Sequence, residues 1–274
     1  MAEQTTQGNP KDLCLIYDVD GVLVDSPHEK SWGDALATLF ETRAAWRKVL
    51  PQSSWRPDAY SQEVYLKIAA GKPRRDGAKA LLDYFGIRDE EGALLDDLYH
   101  FKQEVFLGLV DRGEFDVFED AVRFVLESRA RGYRQAVASS SKNANRLLEM
   151  VKLNPFCAER GLEYDWVGEE TRLIDLFDAN VCGRPFSRGK PAPDIFLGAA
   201  EELGVPAAGC VVFEDAVSGV QAAKAGDMLC VAVARLNDQE QLEAAGADIV
   251  VSSLDQISFD QLESLARRTS SPGI

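Results

Sequence analysis

Carboxylate, hydroxyl and ammonium side chains occur in four short stretches that could act together on a phosphate group. The stretches are Asp18-Val19-Asp20-Gly21, the run from Ser139 to Asn143, Lys190, and Glu214-Asp215. Crowded carboxylates repel one another unless a cation lies among them, and a hard divalent ion such as Mg²⁺ prefers oxygen donors. Lys190 and the Ser139 hydroxyl could then neutralise the oxygens of a transferring phosphoryl group. These residue types therefore predict a Mg²⁺-dependent phosphate site.

Asp18 and Asp20 are suited to two different steps of such a reaction. They are two residues apart, so in an extended chain their side chains share a face, and Gly21 then permits a sharp turn. One carboxylate can attack a phosphate ester while the other moves a proton. The chain has only two histidines, His28 and His100. Carboxylates must therefore carry the acid–base chemistry.

The elements that must position these residues follow from the hydropathy pattern. Short apolar runs rich in β-branched residues alternate with amphipathic stretches of helical length, which predicts an α/β fold with a Rossmann-like parallel sheet covered by helices. The runs are Leu13 to Tyr17, Tyr133 to Ala138, Ala179 to Cys182, Cys210 to Phe213, Leu229 to Ala234 and Ile249 to Val251. Ligands bind beyond the carboxyl ends of such strands, where the four stretches lie.

One long interval breaks the alternation. From Ser31 to Val110 the sequence has helical patterns but no convincing strand. We therefore expect a core domain made of residues 1–27 and 112–274, interrupted by a helical domain of residues 28–111. Pro27 and Gly113 mark the expected boundaries because proline favours a helix start and glycine ends helical patterns.

Composition excludes several classes of partner. Among 274 residues, 30 are Lys or Arg and 45 are Asp or Glu, giving a net charge of −15 that repels nucleic acids and anionic membranes. The longest apolar run, Met228 to Ala234, is too short to span a bilayer. The first twelve residues are polar and do not resemble a secretory signal, so we expect a cytoplasmic protein. A monomer is the default expectation. Five cysteines without C-x-x-C spacing are expected to be small buried side chains.

The four stretches, taken in order, resemble the motifs of the haloacid dehalogenase superfamily of phosphotransferases. The matching residues are Asp18 to Val22, Ser139, Lys190 and Glu214 to Gly219. This resemblance implies that Asp18 is the nucleophile and Asp20 the general acid/base. Ser139 and Lys190, with Ser140 in the same set, would bind the phosphoryl group. Mg²⁺ would be held by Asp18, the Asp20 carbonyl and Asp215, with Glu214 supporting it. An aspartate at the position of Asp20 favours phosphate esters as substrates.

Within the superfamily, further residues look like those of the β-phosphoglucomutases. Ser141, Lys142 and Asn143 continue that group's second motif, and Gly71 to Asp76 resembles its substrate loop, in which the residue matching Arg74 grips the phosphate that is not transferred. His28 and Lys102 match two other substrate-side positions. The resemblance implies that residues 28–111 form a helical cap.

Three functions stay open at this point. The first is Mg²⁺-dependent transfer through an aspartyl phosphate that converts β-glucose 1-phosphate to glucose 6-phosphate. The second is a phosphatase acting on a small phosphorylated metabolite, and the third is a catalytically idle binding protein on the same fold. The sugar is not specified by these residues, and the acidic segment 154–187 has no assigned role. Trp32, Trp46 and Trp55 are expected to pack inside the helical domain.

Overall fold

The computed structural model describes residues 13–70 and 72–269. The polar first twelve residues and Gly71 lie outside the described residues. The chain divides into two compact units: the residues up to Ser26 and from Asp116 onward form the first, and Pro27–Phe115 form the second.

The first unit is built on a parallel sheet, and the α/β fold class is confirmed. Its six strands have the order β5-β4-β1-β6-β7-β8, and a separate antiparallel pair joins β2 and β3. The strands in the described part of the chain are β1 (Cys14–Tyr17), β2 (Val24–Asp25), β3 (Asp116–Val117), β4 (Arg134–Val137), β5 (Ala179–Asn180), β6 (Cys210–Glu214), β7 (Leu229–Val233) and β8 (Ile249–Val251). Each predicted apolar run overlaps one of the six sheet strands, and β6 extends one residue beyond its run, to Glu214.

The α-helices separate these strands or form the second unit. Those of the second unit are α1 (His28–Thr42), α2 (Ala44–Val49), α3 (Gln62–Ile68), α4 (Arg74–Tyr84) and α5 (Ala93–Asp111). Those of the first unit are α6 (Glu119–Ala130), α7 (Ala144–Met150), α8 (Leu153–Glu159), α9 (Asp194–Leu203), α10 (Val217–Ala225), α11 (Gln239–Ala244) and α12 (Phe259–Thr269).

Strand β1 lies at the centre of the sheet. Cys14 is in register with Arg134 of β4 on one side and with Cys210 of β6 on the other. The four residues of β1 have no exposed surface, as expected for a parallel strand covered on both faces. The ladder continues beyond the strand, where the Asp18 N–H donates to the Phe213 carbonyl at 3.0 Å. The end of β1 is thereby fixed beside the end of β6.

The second unit has its own aromatic core. Trp32, Trp46 and Trp55 are at most 4% exposed, which confirms the prediction that they pack inside the helical domain. The Phe40 ring stacks on Trp55 at 5.5 Å between centroids and meets Trp46 edge-on at 5.0 Å. Pro27–Phe115 contains no strand among its described residues.

The chain passes into the second unit just after β2 and returns to the first unit just before β3. The sequence pattern did not predict this pair of strands. Val24 is in register with Val117, and strands of two residues are too short to show alternation. The second crossing falls between Phe115 and Asp116, four residues beyond the expected 111/112 boundary. The difference arises because α5 ends at Asp111 and a turn precedes β3.

The cysteines are confirmed as buried free thiols: Cys14, Cys157, Cys182, Cys210 and Cys230. Three of them belong to the apolar core around the sheet. Among the helices of the described residues, none is both long and apolar enough to cross a membrane.

The acidic segment after α7 forms α8, an irregular loop and a 3₁₀ turn at Leu173–Leu176 before it enters β5. In the loop, the rings of Tyr164 and Trp166 lie 5.1 Å apart, and 38% of Trp166 is exposed. The segment therefore folds as part of the first unit.

Candidate active site

Three charged side chains meet at the carboxyl edge of the sheet. Lys190 Nζ donates to Asp18 Oδ1 at 2.6 Å and to Glu214 Oε1 at 2.5 Å. Asp18 directly follows β1, and Glu214 ends β6. The two carboxylates are almost completely buried, and 13% of the Lys190 side chain is exposed. The structure thus brings together three residues that are far apart in the sequence.

The start of α9 fixes the loop that carries Lys190. Asp194, in the first turn of this helix, accepts hydrogen bonds from the Ser187 hydroxyl and from the Arg188 guanidinium, each at 2.7 Å. A carboxylate is favourable at this position because the helix N-terminus carries a partial positive charge. The Lys190 ammonium lies 5.0 Å from the centre of the Phe196 ring on the same helix. These contacts restrict the positions that Lys190 can adopt.

The Asp20 carboxylate is held by two hydroxyl groups. Ser26 donates a short hydrogen bond to Oδ1, and Ser139 donates to Oδ2 at 3.4 Å. Ser26 comes close because the chain turns back after Gly21, whose N–H donates to the Val24 carbonyl at 2.9 Å. The sequence analysis did not identify Ser26, since a contact across a turn leaves no periodic signal.

Gly21 makes room for Asp215. A Cβ atom on Gly21 would lie 1.9 Å from Asp215 Oδ2, and the backbone of Gly21 has φ +83°. Both the close approach and the left-handed conformation exclude other residues at this position. Asp215 therefore lies directly against the loop that contains Asp18 and Asp20.

The Glu214 carboxylate organises the loop after β6. Its Oε2 accepts the N–H groups of Asp215 at 2.9 Å and Ala216 at 3.0 Å, while Oε1 accepts from Lys190. A Cβ atom on Gly219 would lie 1.9 Å from Glu214 Cδ. Helix α10 can therefore lie this close to the Glu214 carboxylate only because residue 219 is a glycine. Both oxygens of Glu214 have partners, which fits a supporting role rather than direct contact with a metal ion.

The charges in this cluster are strongly perturbed. Burial raises the pKa of Asp18 to about 7, where Lys190 acts to lower it and the carboxylates of Glu214 and Asp20 raise it further. Burial and the neighbouring Glu214 and Asp18 also raise the pKa of Asp215 well above its usual value. Burial alone would lower the pKa of Lys190, but Asp18 and Glu214 outweigh it and raise that pKa. Lys190 therefore stays charged, and the carboxylates carry unfavourable excess negative charge.

The loop after β4 is organised by its serines. The Ser139 hydroxyl accepts the Ser141 N–H at 3.0 Å, and the Ser141 hydroxyl accepts the Asn143 N–H at 3.2 Å. The Gly183 N–H donates to the Ser139 carbonyl at 2.9 Å from the segment after β5. Ser139 and Asn143 are buried, whereas the predicted site residues Ser140 and Lys142 are exposed.

The predicted site residues of the second unit form two groups within that unit. Lys102 Nζ lies 2.8 Å from His28 Nδ1, and the His28 ring stacks on Phe106 with centroids 4.6 Å apart. An ammonium can only donate, so Nδ1 accepts and a neutral His28 carries its proton on Nε2. Arg74 lies elsewhere in the unit, with its guanidinium carbon 5.2 Å from the centre of the Tyr99 ring.

The residues of the first unit fit a Mg²⁺ ion by the chemistry of their donors. Within residues 13–70 and 72–269, no three His, Cys, Asp or Glu side chains form a ready-made metal cluster. The expected set is smaller, because it combines the Asp18 and Asp215 carboxylates with the Asp20 carbonyl, and Mg²⁺ usually retains several waters. Burial and the neighbouring carboxylates raise the pKa of Asp18 and Asp215, and a divalent cation would offset this negative charge.

Such an arrangement can support nucleophilic catalysis. The Asp18 carboxylate accepts a hydrogen bond from the Lys190 ammonium. The Asp20 carboxylate is a separate group that accepts hydrogen bonds from serine hydroxyls. One carboxylate can form an acyl phosphate while the other transfers a proton. Lys190 and Ser139 are the side chains that can neutralise phosphoryl oxygens.

Comparisons with known proteins agree with this geometry. The model of the haloacid dehalogenase-like hydrolase family matches residues 14–227. A β-phosphoglucomutase of Mycobacterium bovis is 30% identical over 90% of this chain and 92% of its own length. A phosphorylated carbohydrates phosphatase of Thermotoga maritima is 30% identical over 86% of this chain and 93% of its own.

A solved structure and a longer protein complete the comparison. The crystal structure of an archaeal β-phosphoglucomutase from Pyrococcus sp. strain ST 04 has a TM-score of 0.67 and 29% identity, covering 93% of this chain and 99% of that one. The chain also matches the protein SUPPRESSOR OF QUENCHING 1 of Arabidopsis thaliana at 35% identity, but spans only 14% of that protein's length. The family match over most of the chain and the two 30% identical relatives show that this chain is an enzyme of the haloacid dehalogenase-like hydrolase family.

Proposed function

We propose that the protein is a phosphomutase that isomerises a sugar monophosphate, with the conversion of β-glucose 1-phosphate to glucose 6-phosphate as the favoured reaction. The observation that carries the proposal is the buried contact of Asp18 with Lys190 beside Asp20. The 30% identity to a β-phosphoglucomutase over nine-tenths of the chain supports the choice of reaction.

In the first half of the reaction, a carboxylate oxygen of Asp18 attacks one phosphorus of a sugar bisphosphate in a mutase, or the phosphorus of a phosphate ester in a phosphatase. The bond between phosphorus and the leaving sugar oxygen breaks, and Asp20 donates a proton to that oxygen. Lys190 and the Ser139 hydroxyl hold the transferring phosphoryl oxygens throughout. The product of this step is an aspartyl phosphate on Asp18.

In the second half, Asp20 removes a proton from the acceptor hydroxyl, which attacks the phosphorus and releases Asp18. The acceptor is a sugar hydroxyl in a mutase and water in a phosphatase. Asp18, Asp215 and the Asp20 carbonyl would hold Mg²⁺. The ion would neutralise part of the negative charge on the phosphoryl group. Glu214 keeps the loop of Asp215 and the ammonium of Lys190 in place.

We also propose that Pro27–Phe115 acts as a cap that supplies substrate-binding residues. A mutase must hold a bisphosphate that transfers either of its phosphates, and it must keep water from the aspartyl phosphate. Arg74 would bind the phosphate that is not transferred, and the His28–Lys102 pair would contribute on the substrate side. Cytoplasmic location remains an expectation from the sequence.

The test is a product analysis with purified protein and Mg²⁺. The protein is incubated with β-glucose 1-phosphate and a trace of β-glucose 1,6-bisphosphate, and glucose 6-phosphate and free phosphate are measured separately. A mutase yields glucose 6-phosphate in large excess over free phosphate. Stoichiometric free phosphate without glucose 6-phosphate would contradict the proposal.

The second candidate is a phosphatase acting on phosphorylated carbohydrates. It is favoured by the Thermotoga maritima relative, which matches this chain at the same 30% identity. The product analysis separates the two functions, because a phosphatase releases free phosphate and forms no glucose 6-phosphate. In a mutase, Arg74→Ala should reduce glucose 6-phosphate formation far more than hydrolysis of p-nitrophenyl phosphate, which has no second phosphate. Equal loss of both activities would contradict the assignment of Arg74 to the second phosphate.

A further inference from the structure

Arg74 differs from the arginines around it because it has no carboxylate partner within the described residues. Its neighbour Arg75 pairs with Asp96 at 2.7 Å, and Arg43 in the same unit forms an ion pair with Asp97. Arg74 is partly buried, and this burial lowers its pKa from the usual value. Partial desolvation of a guanidinium without a counter-ion is unfavourable unless another contact stabilises the charge.

The position of Arg74 in its helix adds to this cost. Arg74 is the first residue of α4, and no side chain caps this helix at Pro73. The positive end of the helix dipole disfavours a cation there and favours an anion. Arg74 therefore needs a stabilising contact other than an ion pair.

That contact is the ring of Tyr99 on α5. The guanidinium carbon of Arg74 lies 5.2 Å from the ring centre, and that of Arg75 lies 5.9 Å away. Both distances are within the ~6 Å range of cation–π attraction. Arg75 is already paired with Asp96. Of the two guanidinium groups beside the Tyr99 ring, that of Arg74 is therefore the one available to bind an anion.

We propose that Tyr99 is a positioning residue that presents Arg74 to the second phosphate of the substrate, the phosphate that is not transferred. This inference rests on the proposed function, in which Arg74 binds that phosphate. Tyr99 would then determine the preference of the enzyme for sugar bisphosphates over phosphate esters that carry one phosphate. The ring face provides the contact, so the phenolic hydroxyl is not required.

The experiment compares two substrates across matched variants. For each variant, kcat/KM is measured for β-glucose 1,6-bisphosphate as phosphoryl donor and for p-nitrophenyl phosphate, and the ratio of the two values is taken as the bisphosphate preference. Tyr99→Leu should lower this preference about 3- to 30-fold, mainly through KM for the bisphosphate. Tyr99→Phe should retain the wild-type preference to within about 2-fold, because it keeps the ring.

Phe101→Leu is the matched control on the same helix. It removes an aromatic ring that lies 5.3 Å from the Arg43 guanidinium carbon. The variant therefore loses an equivalent cation–π contact, but with Arg43 instead of Arg74. This variant should keep the wild-type bisphosphate preference. If Tyr99→Leu unfolds at a lower temperature than Phe101→Leu, Tyr99→Gln is measured in its place.

A double-mutant cycle isolates the contact between Tyr99 and Arg74. In an Arg74→Ala background, Tyr99→Leu should cause no further loss of bisphosphate preference. A wild-type preference in Tyr99→Leu, a loss in Tyr99→Phe as large as in Tyr99→Leu, or additive losses in the cycle would each overturn the inference. An unchanged preference in Arg74→Ala would instead overturn the proposed role of Arg74, so the two failures are distinguishable.

Discussion

At the scale of single residues, the site depends on how closely charged groups can approach one another. Lys190 bridges Asp18 and Glu214, and Asp215 comes against the backbone of Gly21. The carboxylates and Lys190 could be predicted from the sequence because they follow strands or precede a helix. Ser26 and Tyr99 could not, since their contacts with Asp20 and Arg74 depend on a turn and on the packing of two helices.

Gly21→Ala tests whether the approach of Asp215 matters for catalysis. The added methyl group would overlap the Asp215 carboxylate, which must move away from the Asp18 loop. We expect phosphatase activity towards p-nitrophenyl phosphate to fall by about 10²-fold or more, and the Mg²⁺ concentration for half-maximal activity to rise. The left-handed backbone adds a stability cost of about 1–2 kcal/mol.

Gly132→Ala is the control for backbone strain. Gly132 has φ +82°, close to that of Gly21, but nothing lies within 4 Å of an added Cβ. Urea unfolding should therefore show a similar loss of stability, about 1–2 kcal/mol, with wild-type activity. Equal activity losses in the two variants would show that strain alone, and not the position of Asp215, explains the effect of Gly21→Ala.

At the scale of elements, apolar alternation predicted the six sheet strands and the helical insertion. Helix ends were predicted less well: the helical patterns begin at Ser31, whereas α1 starts at His28. The first turn of α1 is largely polar, so hydropathy gave no signal for it. The pair β2–β3 was missed because its strands are only two residues long.

Asp120 joins α6 to the segments that follow β7 and β8. Its carboxylate lies in the first turn of α6 and accepts hydrogen bonds from both Nη atoms of Arg235, each at 3.0 Å. It also accepts hydrogen bonds from the Ser253 hydroxyl at 2.9 Å and the Leu254 N–H at 2.7 Å. Burial acts to raise its pKa, but Arg235 and the other donors outweigh this and lower the pKa below its usual value of 3.8. The ionised form of Asp120 therefore stabilises the folded state.

Asp120→Asn should lower the free energy of unfolding at pH 7 by about 2–4 kcal/mol. Because the folded-state pKa is below the unfolded value, this contribution is complete above about pH 4 and declines as the pH falls through the lower, folded-state value. Urea unfolding of wild type and variant from pH 7 to pH 3 measures the difference. A difference that is the same at pH 3 and pH 7 would contradict the role of the Asp120 charge.

At the scale of the whole molecule, the net charge limits which partners the protein can bind. The net charge of −15 opposes binding to nucleic acids. The large apolar side chains that are exposed include Leu50, Leu66, Trp166 and Leu236, which lie in different parts of the chain. The fold of segment 154–187 was not predicted, because its acidic composition carries little hydropathy pattern.

We expect the protein to be a monomer in solution. Self-repulsion at a net charge of −15 opposes association. Light scattering after size-exclusion chromatography should give a mass of 30.1 kDa at both low and moderate salt. A mass of twice that value at the lowest practical protein concentration would contradict this expectation.

The central claim, that Asp18 carries the phosphoryl group, is tested most directly by locating the phosphate on the enzyme. The protein is mixed with Mg²⁺ and a phosphate donor, quenched in acid and reduced with borohydride, which converts an aspartyl phosphate to homoserine, and its peptides are analysed by mass spectrometry. We expect homoserine at position 18 in the wild type. We expect none in Asp18→Asn, whose turnover should fall about 10³-fold or more while its melting temperature stays near that of the wild type. Modification at Asp20 or Asp215 instead, or full turnover by Asp18→Asn, would contradict the assignment of Asp18 as the nucleophile.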